Sequence, residues 1–304
     1  MSSKLNILVA YDFRPESEAA LDYSFGIAKK LKATVHVLYI LEDETPFLRM
    51  VITSEQRRLM KRGAEDKLKE TINVKTKDQN QEIKTIVKQG KVYKMILEAA
   101  KEISAHLIIM GRTDSMDMVK NFLGTNTMHL VRESAIPVIT LKKPFKGSCC
   151  RQILLPLDLT KQTKKQVSRA IKQAQILKAG IILVTVLSEN LISLKLRFST
   201  RLRKIADIFS CFNIECDYKL IIDNHPVWSQ LLNKFSKETG ADMVMIMTQQ
   251  ELDFTEYFIG STAQEIIDNS DLPVLSLTPE KRGPSILSDK MMDILINPIK
   301  IFDH

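Results

Sequence analysis

No apolar run in the 304 residues approaches the roughly 18 that a membrane span needs. The opening Met1-Ser2-Ser3-Lys4 leads straight into Leu5-Asn6-Ile7-Leu8-Val9-Ala10, without the long apolar stretch and small-residue cleavage site of a signal peptide. A cytoplasmic chain with no membrane partner is therefore expected. Cysteine is scarce: Cys149 and Cys150 are adjacent and Cys211 and Cys216 lie five apart, so there is no C-x-x-C pair and ordinary free thiols are expected. His36, His106, His129, His225 and His304 are scattered, with no H-x₃-H spacing for zinc, and no metal is expected. Aromatic residues make up only 6%, too few for the stacking surfaces of single-strand binders, and no nucleic-acid recognition motif occurs. The formal net charge of +8 is consequently read as solvated surface. Up to residue 145 there are 24 Lys/Arg against 18 Asp/Glu, and beyond it 20 against 18. Also absent are a Walker motif, G-x-G-x-x-G and G-x-S-x-G.

What is present is a doubled pattern. A chain of this length suits two domains of about 150 residues, and 44% hydrophobic with 26% charged residues is an ordinary globular balance. Ile7-Leu8-Val9-Ala10-Tyr11-Asp12 matches Ile153-Leu154-Leu155-Pro156-Leu157-Asp158, Ala28 to Ala33 matches Ala174 to Ala179, and Val35 to Ile40 matches Ile181 to Val186, all at an offset of 146. Later the offset is 136, with Ala105 to Met110 on Ala241 to Ile246, Gly124-Thr125 on Gly260-Ser261, and Ile136 to Ile139 on Leu272 to Leu275. Such a collinear series marks an internal repeat. The second copy lacks about ten residues between its second and fourth strands. The expected domains are residues 1–143 and 150–279, followed by a tail over 280–304.

Within the first copy, residues 5–10, 34–40, 83–88, 105–110 and 136–141 read as strands, apolar on both sides as in a covered parallel sheet. Helical spacing marks Glu16 to Leu31, with further helices over 54–71, 92–103 and 125–133. The alternation predicts an α/β fold: two tandem doubly wound domains, each an open five-stranded parallel sheet with helices on both faces.

Such sheets bind ligands at the carboxyl ends of their strands. Asp12 ends the first strand, where its carboxylate suits either a ribose or amine contact or a cap on the following turn. Both readings stay open. After the fourth strand, Gly111 permits close backbone approach. Gly124 precedes a helix opening with Thr125-Asn126-Thr127, whose free backbone N–H groups and hydroxyls would suit an anion.

These residues carry a family resemblance. Ile7 to Asp12 with Ser17 and Ala20-Leu21, Val35 to Ile40, and Leu107 to Gly111 with Gly124-Thr125 and Pro137-Val138 resemble the strands and C-terminal signature of the universal stress protein family. The resemblance covers nearly the whole unit, twice, as in tandem members, and it implies an adenine nucleotide alpha hydrolase-like fold. It also implies that Ala10, Tyr11, Asp12 and Ile40 surround adenine and ribose, that Gly111, Thr113, Gly124, Thr125, Asn126 and Thr127 hold phosphates, and that Met110 belongs to the same cofactor site. ATP is thus the candidate cofactor of the first copy. The family's glycine, two residues, glycine, nine residues, glycine, Ser/Thr pattern keeps its spacing, but Asp114 replaces the second glycine. A carboxylate there repels a triphosphate by on the order of 1 kcal/mol or more, unless Arg112 or a divalent cation offsets it. In the second copy Met247 and Gln250 replace two glycines, and no cofactor is expected.

Two functions follow from the resemblance. One is a non-catalytic stress-response scaffold, a pseudo-dimer made by intramolecular pairing of the two domains through Val138-Ile139-Thr140 and Val274-Leu275-Ser276. The other is an ATP-binding stress sensor using the first copy, with at most slow hydrolysis. No catalytic residue is assigned, and a homodimer and an unidentified protein partner both stay open. Residues 45–71, with apolar Phe47 to Ile52, read as a helical insertion for a dimer contact or a cleft cover, and the apolar tail beyond Lys281 as a docked segment.

Overall fold

The computed structural model describes residues 4–42, 52–76, 81–112, 125–145, 150–157, 159, 163–248 and 260–278. The chain divides into two compact units, residues 1–146 and 147–304. Unit 1 runs β1 (Asn6–Ala10), α1 (Pro15–Leu31), β2 (Thr34–Leu41), α2 (Ser54–Thr76), β3 (Ile83–Gln89), α3 (Val92–Glu102), β4 (Leu107–Gly111), α4 (Thr125–Glu133) and β5 (Val138–Leu141). Its strands lie in the order β3-β2-β1-β4-β5, every described pairing parallel. Central β1 pairs with β2 from Asn6↔Thr34 to Ala10↔Leu38 and with β4 from Ile7↔Leu107 to Ala10↔Met110. The chain leaves β1 towards β2 and later returns to place β4 on the other side. That reversal makes a crevice at the carboxyl ends of β1 and β4.

Local chemistry explains the elements. Proline opens α1, Glu16 and Glu18 stand in its first turn, and Lys29 and Lys30 in its last, each complementing the helix dipole. Its buried face includes Ala20, Leu21, Ser24, Ile27 and Ala28. The strand readings at 105–110 and 136–141 begin two residues too early. Ala105 N–H closes the end of α3 on Ala100 O, and Ile136 N–H bonds the Ser134 hydroxyl, so both apolar residues serve turns. α2 runs five residues beyond Thr71 and packs Leu68 and Ile72 inward, while Phe47 to Val51 lie outside the described residues.

Unit 2 contains β6 (Gln152–Pro156), α5 (Thr163–Leu177), β7 (Gly180–Leu187), a 3₁₀ turn (Glu189–Leu194), α6 (Lys195–Ser210), β8 (Cys216–Ile222), α7 (Trp228–Thr239), β9 (Met243–Met247), α8 (Ser261–Asn269) and β10 (Val274–Leu277). Its order is β10-β9-β6-β7-β8, again with parallel pairings. The shortening of the second copy falls between β7 and β8, where residues 188–215 replace the 42–82 that separate β2 from β3.

The repeat extends to hydrogen bonds and backbone conformation. Phe13 and Leu159, each the third residue after its unit's first strand, have φ of 64° and 58°, and Lys32 and Lys178, which follow α1 and α5, have 54° and 51°. Left-handed backbone at four side-chain-bearing residues in matching pairs is inherited geometry rather than local preference. At the amino ends of the sheets, His106 Nδ1 accepts the Asn6 N–H (3.3 Å), and Asp242 Oδ1 accepts the Gln152 N–H (3.1 Å). An imidazole and a carboxylate thus satisfy the same backbone donor.

Candidate functional site

A cavity of about 420 Å³ opens at the crevice of unit 1, within the range of small-molecule sites. The ends of β1, β2 and β4 supply its base through Ala10, Leu38 and Met110, and α3 adds Val92 and Ile96. The β1–α1 turn supplies Tyr11, Asp12, Arg14, Glu16 and Ser17. Asn126 and Thr127 enter from the first turn of α4.

The turn is internally bonded. Tyr11 N–H continues the ladder to Leu38 O (2.9 Å). Asp12 Oδ1 accepts the Arg14 N–H (3.1 Å), the Asp12 N–H donates to Ser17 Oγ (3.2 Å), and the Ser17 hydroxyl donates to Arg14 O (2.9 Å). Asp12 therefore performs the turn-capping role while also lining the cavity; its Oδ2 lies 3.7 Å from Arg14 Nε. These bonds hold Phe13 in its left-handed conformation. Its ring meets Tyr11 (centroids 5.0 Å) and Tyr39 (5.1 Å) edge to face, and Lys67 Nζ of α2 sits 4.8 Å from its centre. The Tyr11 phenol is pushed up to about 12 by burial and by the Glu18 carboxylate, whose Oε1 is 3.4 Å away. It is neutral at physiological pH.

Gly111 lines the cavity, but its lack of a side chain has a second cause. A Cβ at this position would overlap the Glu16 carbonyl and come within 2.6 Å of the Ser17 nitrogen. β4 and the first turn of α1 abut here, so any larger residue would force them apart. Arg112 follows with its N–H on Leu141 O (2.7 Å) and its side chain buried at 3% exposure. Thr127, 4% exposed, turns towards this cavity from α4.

Of the residues that sequence reasoning singled out, Ala10, Tyr11, Asp12, Ile40, Met110, Gly111, Asn126 and Thr127 come together around this cavity. Thr125 is the first residue of α4, and nothing is described of its side chain. Thr113, Asp114 and Gly124 lie outside the described residues, as do Asp158, Gln250 and the tail. Sequence reasoning missed Arg14, Glu16, Tyr39, Glu42, Val92 and Ile96, which also line the cavity. Tyr39 and Glu42 were within reach, since they flank Ile40 at the end of a predicted strand. The approach of α3 had no local signal.

Unit 2 presents other residues at the matching positions. Leu157 and Leu159 replace Tyr11 and Phe13, Thr185 replaces Tyr39, and Leu187 matches Leu41; all four are at most 3% exposed. Thr185 donates its hydroxyl to Leu157 O (2.8 Å). Met247 stands where Gly111 stands in unit 1, and Ala263 replaces Thr127. Among the described residues no group of three His, Cys, Asp or Glu side chains could hold a metal ion, and no helix is long and apolar enough to cross a membrane.

Comparisons with known proteins agree with this architecture. The model of the universal stress protein family matches residues 5–142. A universal stress protein of Methanocaldococcus jannaschii is 26% identical over 143 residues, covering 46% of this chain and 83% of the relative. Among solved structures, a universal stress protein from Archaeoglobus fulgidus superposes with a TM-score of 0.67 at 18% identity, covering 90% of this chain and 98% of its own. A functionally unknown protein from Pseudomonas aeruginosa gives 0.61 at 17% identity, covering 97% and 96%. The likeness in fold thus extends well beyond the first unit.

Proposed function

The chain belongs to the universal stress protein family through residues 5–142, and we propose that it acts in stress response as a non-catalytic scaffold whose two copies pair within one chain. The observation carrying this reading is the inequality of the copies. Unit 1 keeps a cavity at its strand ends, whereas in unit 2 Leu157 and Thr185, in place of the cavity-lining Tyr11 and Tyr39, and Leu187, in place of Leu41, are buried. A copy whose site positions serve its core contributes structure, not ligand chemistry. The pairing is supported by β5 and β10, each the terminal strand in its own unit's order. Both carry apolar residues on both faces, and a strand edge needs a backbone partner.

A second reading is favoured by the cavity itself: unit 1 binds ATP as a sensor, with Asp12 and Tyr39 near the sugar and base and Asn126 and Thr127 towards the phosphates. Asn126 and Thr127, at the start of α4 and lining the cavity, offer polar side chains that a ligand there would meet. Calorimetric titration of the purified protein with ATP and Mg²⁺ separates the two. No heat at millimolar ATP is the outcome expected of the scaffold. Saturable binding that disappears in Gly124→Val establishes the sensor instead. An Asp114→Gly change that creates or strengthens binding identifies the carboxylate as what had closed the site.

A further inference from the structure

The six exposed large hydrophobic side chains among the described residues are not scattered. Leu59 (58% exposed), Met60 (50%) and Val74 (64%) lie on α2, and Ile192 (54%) and Leu196 (81%) on the 3₁₀ turn and first turn of α6; Val227 alone lies elsewhere. These are the corresponding segments of the two copies, each between the second and third strands of its unit. Both helices are also net basic. α2 holds seven Lys/Arg against four Asp/Glu, and α6 five against one; α5, with four and no carboxylate, is as basic but has none of these exposed apolar side chains. Arg58, Lys61 and Arg62 beside Leu59 and Met60 are exposed, as are Lys195, Arg197, Arg203 and Lys204 beside Leu196. Each helix docks on its own unit by other residues: Leu68 and Ile72 for α2; Phe198, Leu202, Ile205 and Phe209 for α6. No residue from Ser54 to Gly63 is buried.

We propose that these helices are docking surfaces for an anionic lipid bilayer, which the chain meets from its surface without crossing it. Exposed leucine, isoleucine and methionine set among arginine and lysine can enter the acyl boundary while the cations meet headgroup phosphates. Charge alone would suit a nucleic acid, but apolar side chains gain nothing against a phosphate backbone. The one aromatic residue of α6 near the patch, Phe198, is buried at 3% exposure. A shape-specific protein partner is disfavoured by the sequences. Ser54 to Gly63 and Ile192 to Lys204 share composition but no side-chain pattern, as suits a partner that reads charge and apolarity alone.

Flotation of the full-length protein with vesicles tests this. Binding is expected to phosphatidylcholine vesicles containing phosphatidylglycerol, with none to phosphatidylcholine alone, and it should weaken as salt shortens the Debye length. Arg58→Glu with Lys61→Glu and Arg62→Glu should reduce partitioning roughly tenfold or more. The neutral pair Leu59→Asn and Met60→Asn should also reduce it, with far-UV circular dichroism unchanged because the side chains are exposed. Leu196→Asn tests the second surface in the same way. No binding to the anionic vesicles at low salt overturns the proposal. So does binding that the asparagine variants leave intact, or capture by heparin and RNA without capture by vesicles.

Discussion

His36 shows how a single residue ties the sheet to pH. It is 7% exposed on β2, with Nε2 3.2 Å from Asn6 Oδ1, and its pKa is lowered by burial, then by nearby Lys84, against the opposing pull of Glu82. Unfolded, the imidazole takes up a proton near pH 6.5; folded, it resists until lower pH. The unfolded state therefore binds more protons in that window, and stability falls as pH drops below 6.5 towards the folded pKa. Glu82 is held down at about 2 by hydrogen bonds from Lys4, Lys84 and Thr34, so its contribution is lost progressively as pH falls from the ordinary carboxylate range to about 2, outside the histidine's window. Thermal melts between pH 8 and 5 should show the decline, and His36→Gln should flatten it; an unchanged slope in that variant would assign the decline elsewhere. Neither the burial nor the Asn6 contact could be read from a lone histidine in an apolar strand.

Between elements, equivalent helix pairs are joined by different chemistry. In unit 1 Tyr93 of α3 stacks on His129 of α4 with ring centroids 4.5 Å apart. In unit 2 the same two positions are Ser229 of α7 and Glu265 of α8, where the carboxylate accepts both the Ser229 hydroxyl and its N–H. Ser229 is 2% exposed, so Glu265→Ala leaves buried donors unpaired and should destabilise by about 1–3 kcal/mol. His129→Ala forfeits a ring contact, about 0.5–1.5 kcal/mol, and contacts with Glu133 and Arg132 at a solvent-accessible edge where water can replace them. Urea denaturation of the two variants should reproduce that order; equal losses would mean that the carboxylate is solvated rather than bonded. The helices themselves were legible from their periodicity, α4 with the bounds read from sequence. Their joints were not, because tyrosine–histidine and serine–glutamate have nothing in common except position.

For the molecule as a whole, the single tryptophan offers a test of the paired copies. Trp228 opens α7 in unit 2 and reports that unit alone. Gly111→Ala should destabilise unit 1 by about 1–3 kcal/mol, since the added methyl meets backbone of α1 that cannot yield as a side chain can. If the two copies are paired as proposed, the Trp228-monitored urea midpoint falls with the midpoint seen by circular dichroism. A Trp228 midpoint that stays in place while circular dichroism splits into two transitions would refute the pairing.

Fold class, the repeat and the strand ends at which a ligand would sit follow from patterns a few residues long: aliphatic runs, helical spacing, an aspartate after a strand. These record local burial, and local burial survives in the order of residues. What fills or empties the crevice does not, because it depends on side chains brought together from distant elements. The packing of Gly111 on the first turn of α1, the Phe13 ring between Tyr11, Tyr39 and Lys67, and the leucines buried at the matching positions of unit 2 all arise only when strands lie side by side. The chain order makes two similar units; packing leaves a cavity in the first and buries Leu157, Leu159 and Thr185 at the matching positions of the second.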